Sequence, residues 1–344
     1  MISFNIFIFS FIICIFVSFF SISIFKKKKI LLDQTSYSKH KKLVFSISKK
    51  PFLCGGIILF ICSLFFFDEL IILKVFGFCL LSIGLLSDIN KITSANTRIL
   101  FQFFIVLFFV ILSNLNIVDL RITFLNDLLN IKYISIIFTV ICFLILINGT
   151  NFIDGLNTLV IGYYILILSI LVLVSNQFNL FINYNIFFLI VFLIVIYIFN
   201  LSEKIYLGDS GSYLVSFCAG FFAIDFALKN PLVSPYFICF LFWYPAFENL
   251  FSILRRISFN KKVYKPDQLH LHHLIFKFFL RKNFFNKKFA NSVTANIINL
   301  YNFLIFILLS KYIFITKFLV SAIIFNVILY LIIYFYMKRK AQLF

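Results

Sequence analysis

The chain contains 344 residues, of which 63% are hydrophobic and only 12% are charged. A soluble domain is roughly half apolar and about a quarter charged, so this composition excludes a soluble globular domain. The net charge of +19 does not indicate a nucleic-acid partner, because basic residues in a membrane protein mark its cytoplasmic loops. We expect no nucleic-acid binding.

Apolar segments recur along the whole chain, and a segment of about 18 residues can cross some 30 Å of hydrocarbon as a helix. The segments are continuous rather than alternating, which favours helices over a β-barrel. The predicted spans are 3–25, 52–67, 70–87, 99–116, 133–148, 158–175, 179–199, 210–228, 233–254, 297–314 and 318–337. We therefore predict an all-α polytopic membrane protein, a single domain over residues 1–344 with about 11 transmembrane helices.

The first apolar segment is followed directly by four lysines, Lys26 to Lys29, and no basic region precedes it. This pattern predicts a transmembrane helix with its N-terminus outside, not a cleaved signal peptide. With that orientation, 25 of the 31 Lys and Arg residues fall on the cytoplasmic side, where the C-terminus also lies. The longest predicted cytoplasmic loop, about 255–296, is basic and carries three of the four histidines.

Seven cysteines are scattered through the apolar segments without paired spacing. This distribution predicts small buried side chains, neither disulfides nor metal ligands. They are Cys14, Cys54, Cys62, Cys79, Cys142, Cys218 and Cys239.

A polar segment, Asn148-Gly-Thr-Asn151-Phe-Ile-Asp154-Gly-Leu-Asn157, lies where one predicted span ends and the next begins. Asn amides can read a ligand through paired donors and acceptors, and Gly lets a ligand approach the backbone. The alternative is that Asp154 merely caps the start of the next helix.

A second polar segment, Tyr206-Leu-Gly-Asp209-Ser-Gly-Ser212, precedes the span at 210–228. A carboxylate at a helix N-terminus offers Mg²⁺ one ligand beside backbone N–H groups that suit phosphate. No Gly-Lys-Ser/Thr follows, so this is not a Walker loop. The plainer alternative is again an N-cap, assisted by Ser210 or Ser212.

A third polar segment, Lys265-Pro-Asp267-Gln-Leu-His270-Leu-His272-His273, lies in the basic loop. Three histidines suggest zinc, but His272 and His273 are adjacent and would point apart on a helix. An anion-binding role is favoured because the preceding residues are basic. These basic residues are Arg255, Arg256, Lys261 and Lys262.

Glu248 lies inside a predicted span, where an ionised group is costly. We expect it to pair with Arg255 or Arg256, or else to face a polar cavity. The two arginines also serve as a topological anchor at the cytoplasmic end of the span.

Two weaker segments lie on the same predicted side of the membrane. Gly84 to Lys91 places Ser87 and Asp88 at a helix end, with Arg98 and Gln102 following. Asp33 to His40, including Lys39, adds an acid and bases, and a glycine pair follows at Gly55-Gly56. Either segment alone resembles an ordinary loop.

In this order the segments resemble the polyprenyl-phosphate N-acetylhexosamine-1-phosphate transferase family, glycosyltransferase family 4. The resemblance runs from about residue 26 to 275, and six motifs occur in the family's order. The subgroup acting on surface polysaccharide precursors looks closest, chiefly because of the Pro-Asp and His-Leu-His-His stretch. The motifs are Leu32-Asp33 through His40, Gly55-Gly56, Ser87-Asp88 with Arg98, Asn148 through Asn157, Leu207 through Ser212, and Pro266-Asp267 with His270, His272 and His273.

The resemblance implies an enzyme that passes a sugar-1-phosphate from a UDP-sugar to undecaprenyl phosphate, releasing UMP. It implies Mg²⁺, with Mn²⁺ as a substitute, and a homodimer. The implied location is the bacterial inner (plasma) membrane, with the active site on the cytoplasmic face. The implied pathway is cell-surface polysaccharide synthesis of the O-antigen or lipopolysaccharide kind.

The resemblance also assigns roles to individual residues. Asp209 resembles the Mg²⁺ ligand, and Asp88 resembles the second acid of a pair near the metal and the lipid phosphate. Asp154 resembles a catalytic residue near the nucleotide or metal. The implied substrate-binding residues are Asn148, Asn151, Asn157, Arg255, Arg256, His270, His272, His273, Lys39 and His40.

The chain departs from the family pattern at two positions. Ser87 replaces the first acid of the pair, and Asn157 replaces the second Asp of the Asp-Gly-x-Asp stretch. Because the attacking lipid phosphate is already an anion, the missing carboxylate does not preclude transfer. The alternatives are an inactive homologue and a transporter or flippase, although the one-sided motifs favour an enzyme over alternating access. The sequence does not identify the sugar.

Overall fold

The computed structural model describes residues 4–28, 31–32, 51–258, 269–282 and 286–342. Predictions that concern Asp33, Lys39, His40 and Asp267 fall outside the described residues. Elsewhere the chain is almost entirely helical. The helices are α1 (Phe4–Lys28), α2 (Gly55–Phe66), α3 (Ile71–Asp88), α4 (Ala95–Ser113), α5 (Thr123–Leu129), α6 (Lys132–Ile153), α7 (Leu159–Phe178), α8 (Asn185–Leu201), α9 (Gly208–Lys229), α10 (Pro235–Leu241), α11 (Trp243–Ser258), α12 (Leu271–Arg281), α13 (Lys287–Leu309) and α14 (Thr316–Gln342), with a 3-10 turn at Ser310–Tyr312.

Each of the eleven predicted apolar segments contains a helix. Within the described residues, eight helices are long and apolar enough to cross a membrane, which confirms a multi-span helical protein. A ninth span arises if α10 and α11, bent by 71° at Phe242, count together. The helices α2 and α8 are shorter, and the 12 residues of α2 extend only about 18 Å. The count of eleven and the orientation stay predictions.

The helix α6 ends later than the hydropathy pattern indicates. It continues through Asn148 and Asn151 to Ile153, and Asp154 forms its C-cap. The expectation that Asp154 starts the next helix is therefore wrong, because α7 begins only at Leu159. The extension is stabilised by packing, since Gly149 lets α6 lie directly against the backbone of α11.

The predicted basic loop at 255–296 is partly helical. The helix α12 occupies Leu271–Arg281, and α13 begins at Lys287. Leu271 and Leu274 are buried in α12, and the helix is strongly amphipathic. The 11 residues of α12 are too few to span a membrane, and one face of the helix is polar. A search for long apolar segments therefore does not find it.

Two short parallel strands, β1 (Phe52–Leu53) and β2 (Ile205–Tyr206), precede α2 and α9. Two-residue strands leave no periodic signal, and the sequence did not predict them. The pairing places the N-termini of α2 and α9 side by side. Gly56 makes this approach possible, because a Cβ there would lie 2.7 Å from the backbone nitrogen of Gly211.

The helix α9 lies at the centre of the protein. Every residue from Ser210 to Ile224 is buried, and α9 packs against α2, α3, α6 and α7. Aromatic rings fill the surrounding core, as where Phe109 of α4 meets Phe217 of α9 at 4.6 Å between ring centroids. This arrangement carries Asp209, in the first turn of α9, to the middle of one end of the helix bundle.

All seven cysteines are unbridged. Four are buried as predicted, whereas Cys79 and Cys142 are half-buried. The prediction of burial is wrong for Cys239, which is exposed on α10. An exposed apolar side chain is expected on a helix that faces lipid rather than water.

Candidate functional site

The carboxylate of Asp209 accepts hydrogen bonds from side chains of three other helices. Its Oδ2 accepts hydrogen bonds from the Ser87 hydroxyl (2.5 Å) and the Arg98 guanidinium (2.6 Å). Its Oδ1 accepts from the Asn151 amide at 2.7 Å. Asp209 and Arg98 are each about one-quarter exposed. Three segments predicted as separate motifs therefore meet at one carboxylate, and we call Ser87, Asp88, Arg98, Asn151 and Asp209 the aspartate site.

Asp88 contacts the start of α9 through both of its carboxylate oxygens. Oδ1 accepts from the backbone N–H of Asp209 at 2.8 Å. Oδ2 accepts from the backbone N–H of Ser210 at 3.2 Å and from its hydroxyl at 2.8 Å. Asp88 thus supplies the cap of α9 from another helix, and the alternative that Asp209 is the N-cap, assisted by Ser210 or Ser212, is wrong.

A chain of polar groups extends from Asp209 into the bundle along α4. Arg98 donates to Ser87 at 2.9 Å as well as to Asp209, and its Nε is buried without a partner among the described residues. One turn further along α4, the fully buried Gln102 accepts a hydrogen bond from Asn148 at 2.9 Å. Asn148 and Asn151 therefore both contact this chain of polar groups, at Gln102 and at Asp209.

The donor atoms of the aspartate site suit a hard cation held by few protein ligands. Mg²⁺ typically takes one or two carboxylates and completes its shell with water and phosphate oxygens. Asp209 is partly exposed and could supply one carboxylate. Asp88 fits less well, because two of its three hydrogen bonds come from backbone N–H groups that begin α9. The three hydrogen bonds to Asp209 all come from side chains. No group of three or more His, Cys, Asp or Glu side chains forms a metal cage within the described residues.

The three histidines gather at the N-terminus of α12 and form a second polar group, the histidine cluster. The ring centroids of His270 and His272 are 5.6 Å apart, and those of His272 and His273 are 4.2 Å apart. The expectation that His272 and His273 point apart is therefore wrong, because they occupy the first turn of α12, where both rings pack against Gly155. The predicted histidine segment thus contacts the predicted segment from Asn148 to Asn157.

His272 is fully buried, and neither of its ring nitrogens has a hydrogen-bond partner among the described residues. Burial lowers the pKa of His272 well below 6.5, and the neighbouring His273 and His270 lower it further. His272 is therefore a neutral imidazole in the folded protein at pH 7.

Glu248 contacts the histidine cluster, so the first of its two expected alternatives, pairing with Arg255 or Arg256, is wrong. It is fully buried on α11, and its Oε1 lies 2.9 Å from Nδ1 of His270. Its Oε2 accepts from the Tyr330 hydroxyl of α14 at 2.6 Å. The polar face of α11 points inward and its apolar face outward, which explains how an acid is accommodated in a predicted span.

The two predicted substrate-binding arginines are also buried at this end of α11. Arg255 donates to the Leu269 carbonyl and to the Tyr334 hydroxyl, the latter at 3.0 Å. Arg256 lies over the Phe152 ring, with 5.2 Å from its guanidinium carbon to the ring centroid.

Two further predicted site residues, Asp154 and Asn157, closely follow Asn151 in the chain. Asn157 is buried, and its backbone N–H donates to Asn291 of α13 at 2.8 Å. Asp154 is half-buried at the end of α6. Lys39 and His40 lie outside the described residues.

Sequence reasoning gave no role to Arg98, Tyr330 or Tyr334. Arg98 belongs to a weak segment and to one family motif, but it precedes the predicted span at 99–116 and gave no further signal. The two tyrosines are four residues apart and so share one face of an otherwise mostly apolar helix, which is a weaker signal.

Residues 70–227, a little under half of the chain, match the family described as Glycosyl transferase family 4. This stretch contains the whole aspartate site. It ends before Glu248, the histidine cluster and the tyrosines of α14.

Two curated proteins are similar to this chain. The "Probable undecaprenyl-phosphate N-acetylglucosaminyl 1-phosphate transferase" of Bacillus subtilis (strain 168) is 24% identical over 225 residues, covering 60% of this chain and 58% of that protein. The "Undecaprenyl-phosphate alpha-N-acetylglucosaminyl 1-phosphate transferase" of Thermotoga maritima is 29% identical over 140 residues, covering 40% and 42%. The chain thus spans about half the length of the relatives that it matches.

Proposed function

We propose that this chain, whose residues 70–227 match glycosyl transferase family 4, transfers an N-acetylhexosamine-1-phosphate from a UDP-sugar to undecaprenyl phosphate. The products are a lipid-diphosphate-sugar and UMP. The proposal places the reaction at the cytoplasmic face of the bacterial inner membrane, as the first membrane step of an O-antigen-like polysaccharide. A homodimer belongs to the same proposal.

The observation that carries the proposal is the convergence of α3, α4 and α6 on Asp209. A structural aspartate at a helix N-terminus needs only local backbone donors. Asp209 instead accepts hydrogen bonds from Ser87, Arg98 and Asn151, and it remains about one-quarter exposed. A partly open carboxylate that several helices hold in place is the kind of group that a phosphoryl-transfer site requires.

In the proposed reaction, an oxygen of the lipid phosphate attacks the β-phosphorus of the UDP-sugar. A new P–O bond forms there, and the bond between the β-phosphorus and the bridging oxygen breaks, which releases UMP. No proton must be removed from the nucleophile, since the lipid phosphate is already an anion. A general base in place of Ser87 is therefore unnecessary.

The main barrier is the approach of several anionic phosphates, and positive groups lower it. Mg²⁺, held by Asp209 together with substrate phosphates, would neutralise charge on the diphosphate. Arg98 is the cation of the aspartate site, and its guanidinium can donate hydrogen bonds to an incoming phosphate. The buried Arg255 and Arg256 add positive charge beside the histidine cluster.

The test is transfer of radiolabelled sugar-1-phosphate from a panel of UDP-N-acetylhexosamines to undecaprenyl phosphate, with purified protein and either Mg²⁺ or EDTA. We expect a lipid product and UMP that depend on the cation, and loss of at least a hundredfold in rate for Asp209→Asn. The matched control is Asp68→Asn, which removes a carboxylate at the opposite end of the bundle, where Asp68 accepts from Tyr184.

Absence of product from every donor, with correctly folded protein, would contradict the proposal. Flipping of a fluorescent lipid-linked sugar in reconstituted vesicles, without transfer, would instead support the transporter alternative. Inactivity in both assays, with transfer restored by Ser87→Asp, would identify an inactive homologue.

A further inference from the structure

We propose that Glu248 and Tyr330 are positioning residues that orient His270 at the substrate site, an inference that rests on the proposed transfer reaction. Neither residue lies in the stretch that matches the family. The proposal assigns a role in the reaction to the C-terminal helix α14, which otherwise looks like a plain membrane span.

Glu248 joins two distant parts of the chain through its two carboxylate oxygens. Oε1 lies 2.9 Å from Nδ1 of His270, and Oε2 accepts from the Tyr330 hydroxyl at 2.6 Å. All three side chains are buried, with exposures of 0% for Glu248, 5% for His270 and 2% for Tyr330. The three groups form one continuous hydrogen-bonded chain from α14 to the start of α12.

This geometry selects one protonated nitrogen on His270. A carboxylate that already accepts from Tyr330 can only accept from the imidazole, so Nδ1 carries the proton. Any contact that His270 makes with a substrate oxygen is then made through Nε2. The role resembles that of the carboxylate groups that orient metal-binding histidines, in which a hidden acid sets the direction and tautomer of the ring.

Tyr330 belongs to a stripe of α14 that packs against the polar end of α11. Tyr334, one turn later, accepts a hydrogen bond from Arg255 of α11. The rings of Tyr330 and Tyr334 lie parallel, with their centroids 6.2 Å apart. The Phe251 ring of α11 packs edge-on against both of them, at 5.6 Å and 4.8 Å. Both hydroxyls therefore come from one aromatic face of α14 that packs on Phe251.

His270 is connected to the aspartate site through α6. The His270 ring packs on Phe152 with 5.5 Å between centroids. The preceding residue, Asn151, donates to Asp209. His270 therefore packs against the part of α6 that carries Asn151, a hydrogen-bond donor to Asp209.

A purely structural role explains Glu248 poorly. Burying a carboxylate costs several kcal/mol, and an apolar pair of similar volume often stabilises a protein as well or better. No arginine or lysine of the described residues forms a salt bridge with Glu248, whose Oε1 instead contacts Nδ1 of His270. Glu248 is a destabilising buried acid whose partners are one imidazole and one phenol. Its presence is better explained by the orientation that it imposes on the His270 ring.

The first experiment measures transfer kinetics for Glu248→Gln, Tyr330→Phe, His270→Gln and the double variant Glu248→Gln/His270→Gln. Glutamine keeps the volume of Glu248 but offers an N–H that can reverse the tautomer of His270. We expect kcat/KM for the UDP-sugar to fall about 10- to 100-fold in Glu248→Gln and by a smaller factor in Tyr330→Phe. The control is Tyr301→Phe, which removes a similar tyrosine hydrogen bond, to Asn326 of α14, away from the cluster.

The double variant separates positioning from structural support. If Glu248 acts through His270, the double variant should be no slower than His270→Gln alone. Additive losses, with all variants equally stable to heat in detergent, would overturn the inference. Wild-type protein that transfers no sugar at all would instead show failure of the proposed function.

The second readout does not depend on activity. In protein labelled with ¹⁵N-histidine, we expect the His270 signals to report a proton on Nδ1 in the wild type and in Tyr301→Phe. Glu248→Gln should shift these signals towards the other tautomer. Unchanged His270 signals in Glu248→Gln would overturn the inference even if the transfer rate fell.

Discussion

The backbone N–H of Asp209 donates to the carboxylate of Asp88 at 2.8 Å, so one aspartate of the site caps the helix that carries the other. Backbone N–H groups at a helix N-terminus bear partial positive charge, and a carboxylate there is stabilising. The same arrangement uses up most of the capacity of Asp88 to accept hydrogen bonds. The two acids therefore have unequal roles, because Asp88 caps α9 whereas Asp209 is held by side chains and stays about one-quarter exposed.

Replacing Asp88 with asparagine should weaken this cap. An amide has one acceptor oxygen, and its N–H₂ group would face the donors of Asp209 and Ser210. We expect the free energy of unfolding to fall by roughly 2 kcal/mol, the scale of a charge-assisted hydrogen bond, together with a loss of transfer. Chemical denaturation in detergent would measure the first effect. A stability loss no larger than that of Asp68→Asn would contradict this role.

Gly208 should tolerate no side chain. Its φ is +69°, and a Cβ there would lie 2.6 Å from Oδ2 of Asp88. We expect Gly208→Ala to lower the free energy of unfolding by at least about 1–2 kcal/mol, the cost of a left-handed backbone alone. The control is Gly77→Ala, where the nearest atom is the flexible end of Leu214 at 3.1 Å. Equal thermal stability of the two variants would refute the expectation.

Arg98 and a divalent cation should compete for Asp209, since Arg98 already donates to its Oδ2. Removing this positive charge in Arg98→Gln should tighten Mg²⁺ binding by about tenfold or more, from the Coulomb energy of nearby charges. Thermal shift against Mg²⁺ concentration measures the affinity without requiring turnover. The control is Arg121→Gln, which removes a cation that contacts the Leu232 and Phe314 carbonyls at the opposite end of the bundle. An unchanged Mg²⁺ response in Arg98→Gln would exclude Asp209 as the shared ligand.

His272 should make stability depend on pH. Its folded pKa is lowered well below 6.5, so below pH 6.5 the unfolded chain binds a proton that the folded chain excludes. The free energy of unfolding should then fall with decreasing pH, by up to about 1.4 kcal/mol per pH unit from this group. In His272→Phe this contribution disappears, and the difference between the variants isolates it from other titrating groups. Parallel stability curves from pH 7.5 to 5.5 would contradict the buried neutral imidazole.

The spans could be predicted from the sequence because they depend on local composition. A helix satisfies its own backbone hydrogen bonds, so a long apolar segment in lipid becomes helical whatever its neighbours are. Each apolar segment accordingly contains a helix. The errors occur where packing decides, as at the end of α6, at α12 and at the strands β1 and β2.

The candidate site could be predicted as a set of residues but not as a set of contacts. Polar segments at the ends of predicted spans identified Asp88, Asp209 and Asn151, and the basic loop identified the histidines. Their residue types did not reveal that Asp88 caps α9, or that Glu248 pairs with His270 and not with an arginine. Both outcomes depend on which side chains the folded helices bring within 3 Å.

The sequence by itself thus determined the membrane-spanning helical class, the motifs and the family resemblance, all of which are properties of short segments. Only the tertiary structure decided that Arg98, Ser87 and Asn151 share the carboxylate of Asp209, and that Tyr330 reaches Glu248 across 82 residues of chain. Such contacts require helices distant in sequence to pack in one register. That register is set by the sum of many side-chain contacts, and no single segment encodes it.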